Sequence, residues 1–219
     1  MKTVVVTGAN RGIGLELCRQ LAERGDDVVA TCRRTSAELD ALGVSVLHAI
    51  DVANPASIES LAKQLHGRTI DWLINNAGIL SNETLDDLDF DRIRAQVEVN
   101  TLGPLRVTHA LLPNLQRGSK VAIITSRAGS IGDGPGGGLY GYRLSKAAVN
   151  MVGANLAREL KDRGIAVFLL HPGMVATEMT AGHGLPVTES VANLLARLDK
   201  LGIEDSGKFF HAKGEQLPW

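Results

Sequence analysis

The sequence predicts a three-layer α/β fold, doubly wound around a mostly parallel sheet of about seven strands. Three observations carry that reading. Short apolar, β-branched runs alternate with longer segments of helical spacing along the whole chain. Those runs are apolar throughout rather than at every second residue, the pattern of strands covered by helices on both faces. The first run also passes straight through a glycine-rich turn, TGANRGIG, into a helical segment, as parallel βαβ units require.

Taken in order, TVVVT (3–7) reads as the first strand and IGLELCRQLAERG (13–25) as the first helix, stopped at Gly25. DVVATC (27–32) and VSVLHAI (44–50) are the next strands. PASIESLAKQLHG (55–67) is a helix with proline at its start, where the missing N–H costs nothing. DWLIN (71–75) is a fourth strand, followed by an interrupted helical region over 88–117. KVAIIT (120–125), a long helix over 142–163, GIAVFLLH (164–171), a helix over 187–201 and a short strand at GKFF (207–210) complete the series. The one glycine-dense loop is GDGPGGG (132–138). With no linker, repeat or low-complexity segment, residues 1–219 are expected to form one domain.

Bulk properties exclude several classes of function. A net charge of −1, with 23 basic and 24 acidic residues, points away from nucleic acid and from anionic membranes. No apolar run approaches the roughly 18 residues of a membrane span, and the apolar start is too short for a signal peptide. Cys18 and Cys32 have no metal-ligand spacing and read as reduced thiols of a cytoplasmic protein.

The first turn places Gly8, Gly12 and Gly14 between strand and helix. Such glycines let a pyrophosphate approach backbone N–H groups at a helix N-terminus. The spacing is GxxxGxG rather than GxGxxG, so the context carries the reading more than the pattern does. The second strand ends in Cys32, Arg33 and Arg34, not in the acidic residue that would bind a ribose 2′-hydroxyl. Guanidinium groups suit a 2′-phosphate. NADP(H) is therefore the expected dinucleotide, contacted by Arg33 and by Arg11 in the turn. The competing reading leaves both arginines as solvated surface.

Only two tyrosines occur, Tyr140 and Tyr142, in YGYRLSK. Tyr142 and Lys146 are four apart and share a helix face. An ammonium there is expected to lower the phenol's pKa and make it a usable acid for a carbonyl oxygen gaining a hydride. Tyr140 is expected to precede the helix and line a loop of the substrate pocket, or simply to pack. Ser126 directly follows the fifth strand, where a doubly wound sheet faces its ligand; Ser130 and Ser145 compete for its role. Pro104 has no N–H to offer the carbonyl of Asn100. The helix is expected to break there, with a water on the freed carbonyl linking Lys146 to solvent.

Together these motifs resemble the short-chain dehydrogenase/reductase family, whose members have a Rossmann fold, over almost the whole chain. TGANRGIG matches its glycine motif, with Gly8, Asn10, Arg11, Gly12, Ile13 and Gly14 at cofactor positions. DVA supplies Asp51 and Val52 at the adenine position, and NNAG stands intact, with Asn76, Ala77 and Gly78 toward the cofactor. The resemblance implies a tetrad of Asn100, Ser126, Tyr142 and Lys146, with Lys146 also bonding the nicotinamide ribose. It likewise implies Pro172, Gly173, Val175 and Thr177 around the nicotinamide. GGGLYGYRLSKAAVN, HPGMVATEMT and GEQLPW look most similar to C-factor and sniffer-type carbonyl reductases. The implied function is NADP(H)-linked carbonyl/alcohol oxidoreduction on a small molecule, and the alternative is a dinucleotide-binding sensor of C-factor type. An NAD-linked alcohol dehydrogenase would follow if the arginine reading fails. The short segment EMTAGHGLPV implies an open site, edged by Met174, Met179 and His183. A homo-oligomer, dimer or tetramer, is implied, with a monomer also compatible. Val149, Val152 and Leu156 read equally as core or interface.

Overall fold

The computed structural model describes residues 1–133 and 136–219, so the centre of the glycine-dense loop at 134–135 lies outside the described residues. Seven strands form one sheet in the order β3-β2-β1-β4-β5-β6-β7. They are β1 (Thr3–Thr7), β2 (Asp27–Thr31), β3 (Ser45–Leu47), β4 (Ile70–Asn75), β5 (Leu115–Ile124), β6 (Ala166–His171) and β7 (Phe209–His211). Every neighbouring pair is parallel. The order reverses between β1 and β4, which opens a crevice at the carboxyl ends of the strands.

Helices cover both faces, and this is why the strands are apolar throughout. Val4 and Val6 join the core under α1 (Gly12–Glu23), α2 (Ala37–Asp40) and α7 (Val187–Lys200), through Leu17, Leu39 and Leu194. Val5 points the other way, into the core under α3 (Pro55–Gln64), α5 (Gly103–Ala110) and α6 (Tyr140–Leu160), with Ile58, Val107 and Val149. Val149 is fully buried and belongs to this core, and Val152 and Leu156 are half-buried and pack against it.

The structure departs from the sequence reading in several places, and the strand read over 44–50 is confined to β3 because Ala49 turns the chain with φ +58°. The short helix α2, capped by the Ser36 hydroxyl accepting from the Leu39 N–H, falls in a stretch read as a connection. The Ser36 hydroxyl also donates to the Asn10 carbonyl at 2.8 Å, tying α2 to the glycine turn. β5 begins at Leu115, not 120, because a shift in register lets Leu115 pair with Ile70 before Lys120 pairs with Trp72. Over 88–117, α4 (Phe90–Val97) passes into a π-helical turn (Glu98–Leu102) and then α5. There the Gly103 N–H bonds the Glu98 carbonyl, five residues back. The helix therefore does not break at Asn100, as the sequence leads one to expect, but widens there into a π turn. Among the described residues, no helix is long and apolar enough to cross a membrane.

Candidate active site

The start of α1 is built for an anion. Its N-cap residue, Arg11, makes no side-chain cap. By contrast, Ser36, Asn54 and Asp89 cap α2, α3 and α4. The first-turn N–H groups of α1 therefore lack a side-chain acceptor. Glycine is required around them. Gly8 has φ +66°, and a Cβ on it would lie 2.8 Å from Ala77 Cα. A Cβ on Gly14 would lie 2.2 Å from the Gly8 carbonyl oxygen. Asn76 locks the turn against β4, donating from Nδ2 to the Thr7 and Gly8 carbonyls at 3.0 and 3.2 Å. The Thr7 hydroxyl accepts from the N–H groups of Asn76 and Ala77 at 3.0 and 3.1 Å.

Beside this turn a cavity of about 660 Å³ runs along the carboxyl ends of the strands. Every cofactor position expected from the sequence lines it: Gly8, Asn10, Arg11, Gly12, Ile13, Gly14, Arg33, Asp51, Val52, Asn76, Ala77, Gly78, Tyr142, Lys146, Pro172, Gly173, Val175 and Thr177. These residues fit a dinucleotide: an uncapped helix start, glycines where a Cβ would collide, and exposed Arg33 and Arg34 at one wall. Arg11 behaves differently from Arg33. Its guanidinium pairs with Glu178 across the cavity, a partner with no signal in the sequence. Ile79, Thr125 and Glu178 also line the cavity and escaped the sequence reading. Ile79 and Thr125 directly adjoin NNAG and Ser126 and were legible on that ground. Met179 lines the cavity, whereas Met174 is 60% exposed and neither it nor His183 is among the lining residues.

Tyr142, Lys146 and Ser126 converge. Lys146 is buried, donates to the Ile124 carbonyl at 2.9 Å, and sits 5.7 Å from the centroid of the Tyr142 ring. The Ser126 hydroxyl hydrogen-bonds the Tyr142 phenol and accepts from the Ala128 N–H at 3.1 Å. The competing serines are engaged elsewhere. Ser145 donates to the Tyr142 carbonyl at 2.8 Å and accepts from Asn100 Nδ2 at 3.0 Å. Ser130 donates to the Trp219 carbonyl at 3.1 Å. Asn100 lies behind the cavity wall and is fully buried. It clamps the Ile79 peptide from both sides, accepting its N–H and donating to its carbonyl, each at 2.8 Å.

Two expectations are corrected. Tyr140 opens α6 rather than preceding it, is 39% exposed, and is not among the residues lining the cavity. The Tyr142 phenol is not pulled down by Lys146. Burial pushes it above the usual tyrosine value, and the Ser126 hydrogen bond only partly offsets this. The physical reason is that burial acts on both groups. It favours the neutral lysine as well, bringing Lys146 from 10.5 to about 8.

Comparison with known proteins gives the same answer as the geometry. Residues 2–185 match the family model for short chain dehydrogenase. The chain is 45% identical over 226 residues to 1-hydroxy-2-glutathionyl-2-methyl-3-butene dehydrogenase of Rhodococcus sp. (strain AD45), covering 100% of both chains. It is 43% identical over 154 residues to C-signal of Myxococcus xanthus, covering 68% of this chain and 93% of that one. The fold superposes on NADPH-bound carbonyl reductase from chicken fatty liver with a TM-score of 0.90 and 32% identity, over 100% and 99% of the two chains. With its parallel seven-stranded sheet, glycine-rich first turn and clustered Ser126, Tyr142 and Lys146, the chain belongs to the short-chain dehydrogenase family of oxidoreductases.

Proposed function

We propose that the protein is an NADPH-dependent carbonyl reductase in which Tyr142 is the general acid and base. The observation that carries this reading is that one cavity joins the uncapped start of α1 to Tyr142 and Lys146. NADPH bound there would supply the hydride. Arg33 would hold the 2′-phosphate, with Arg11 as a second guanidinium lining the same cavity. Ser126 holds the substrate carbonyl oxygen beside the phenol, and Tyr142 donates its proton to that oxygen as negative charge develops. Lys146, with a pKa near 8, replaces the proton. Asn100 supports the supply: Pro104 cannot bond its carbonyl, which leaves an acceptor for a water in the widened turn. Cofactor and substrate act within a single domain in this reading.

A second reading, a dinucleotide-binding sensor, is favoured by the likeness to C-signal. A pure sensor needs the glycine turn but no tuned phenol. The relative from Rhodococcus is named as the dehydrogenase of a hydroxy compound, so alcohols with NADP⁺ belong in the assay beside aldehydes, ketones and diketones. The test is turnover by the parent and by Tyr142→Phe. A reductase loses about 10²- to 10⁴-fold in rate, the usual worth of a general acid, while its NADPH affinity holds. Turnover that survives Tyr142→Phe overturns the assignment. An NADH affinity equal to that for NADPH overturns the role of Arg33.

A further inference from the structure

We propose that Glu83 is a positioning residue for Tyr142: its carboxylate caps helix α6 from outside and fixes the first turn that carries the phenol. The proposal rests on the reading of Tyr142 as the acid.

Glu83 belongs to SNETLDDLD, a stretch that looks like plain solvated loop, and residues 84–88 around it are exposed. Yet Glu83 itself is completely buried. A buried carboxylate persists only where donors satisfy it. The Ser81 hydroxyl donates to it. Gln96 Nε2 reaches its two oxygens at 3.2 and 3.3 Å. The Gly141 N–H donates at 3.2 Å. Burial works to raise its pKa, but these hydrogen bonds prevail and hold it below the usual glutamate value.

The Gly141 contact places Glu83 in the catalytic argument. Leu139 precedes α6, adopts a left-handed backbone with φ +52°, and makes no side-chain cap. The first-turn amides of the helix, Gly141 among them buried, need an acceptor, and negative charge is favoured there. Glu83 supplies both from a distant segment. Its main-chain carbonyl also accepts the Leu139 N–H at 2.8 Å. Residues 139 and 141 are thus both held by Glu83, directly before Tyr142. Gln96 closes the clamp, since a Cβ on Gly141 would lie 2.1 Å from its Nε2.

The donor pattern supplies the test. In Glu83→Gln, one amide oxygen faces three donors and its NH₂ opposes that of Gln96. The exchange Glu83→Gln with Gln96→Glu restores the pattern. The carboxylate moved to position 96 accepts from Ser81 and from the amide moved to position 83, and the oxygen of that amide accepts from the Gly141 N–H. The single variant is expected to lose about 10- to 100-fold in kcat, the scale of a misplaced reacting group, with KM and NADPH affinity within about twofold. The exchange is expected to recover most of the rate. A readout independent of turnover exists because the chain has only two tyrosines. In a Tyr140→Phe background, ¹³C-tyrosine NMR gives one signal, from Tyr142. That signal is expected to broaden or split in Glu83→Gln and to sharpen again in the exchange. Should Glu83→Gln fail to fold, Ser81→Ala, which removes one donor and keeps the carboxylate, is expected to show a weaker form of both effects. An unchanged signal and kcat in these variants overturns the proposal. A rate that survives Tyr142→Phe instead overturns the acid assignment, and leaves the NMR comparison to decide whether Glu83 positions the ring.

Discussion

Replacing Thr7 by valine removes one atom on which the cofactor turn depends. Thr7 ends β1 and is 1% exposed. Its oxygen accepts two backbone N–H groups, from Asn76 at 3.0 Å and Ala77 at 3.1 Å. Valine has the same shape but no acceptor, so both amides lose their partner. An unsatisfied buried donor costs about 1–3 kcal/mol, so two cost about 2–6. The methyl that replaces the hydroxyl returns about 0.8 kcal/mol. The expected loss is about 3 kcal/mol, to be read from urea unfolding at neutral pH. Function follows, because the displaced segment is the cavity wall against which Gly8 packs: a Cβ there would lie 2.8 Å from Ala77 Cα. NADPH affinity is expected to fall about tenfold or more, at 1.4 kcal/mol per decade. Thr7→Ser keeps the acceptor and should keep most of both quantities. A Thr7→Val protein within about 0.5 kcal/mol of the parent, or a Thr7→Ser protein that loses as much as Thr7→Val is expected to, would refute the reasoning.

Three further outcomes are expected. Gly14→Ala places a Cβ 2.2 Å from the Gly8 oxygen and 2.6 Å from Asn76 Nδ2. Despite alanine's better helix propensity, it should cost about 1–3 kcal/mol and abolish the thermal shift that NADPH gives the parent. Arg33→Ala should weaken NADPH binding about 10- to 100-fold, the worth of a charge-assisted hydrogen bond, and leave NADH binding within twofold; parallel titrations decide it. Lys146 carries a folded pKa lowered by burial from 10.5 to about 8. Between those values the unfolded chain holds a proton that the folded chain has released, so this residue makes stability rise with pH across that window, by about 3 kcal/mol in all. Lys146→Met removes the contribution, so its stability minus the parent's should shrink steadily between pH 8 and 10; a constant difference contradicts the shift.

How much of this was legible in the sequence depended on how local the signal was. β1, β2 and β6 could be read because both faces are covered and a run of apolar residues suffices to show it. The glycine turn and the Tyr142–Lys146 pair could be read because each depends on spacing within one element. The start of β5 was obscured, since LLPNLQR carries helical spacing while its strand pairing depends on Ile70, 45 residues away by register with Leu115. Spacing alone does not separate the three serines; the difference lies in their partners, since Ser126 bonds the Tyr142 phenol while Ser130 and Ser145 bond the Trp219 and Tyr142 carbonyls. Arg11 and Glu178 are 167 residues apart, and nothing local marks their pairing. Glu83 lay hidden for the converse reason: its sequence neighbours are exposed, and its partners come from three segments of the chain.

The protonation states that burial imposes also give the site a direction. A lysine near 8 and a phenol above its usual value leave Tyr142 holding its proton at neutral pH. In the proposed mechanism carbonyl reduction would consume that proton, so the resting form would already be the reactive one. Alcohol oxidation needs the phenolate, and the protein must first remove a proton that burial retains. If Tyr142 is the acid and base, reduction proceeds from the ground state near pH 7, whereas oxidation gains rate as pH rises. The buried lysine alone does not reverse this bias, because the same low-polarity surroundings that raise the phenol weaken the ammonium. The Ser126 hydrogen bond lowers the phenol's pKa but only partly offsets its burial.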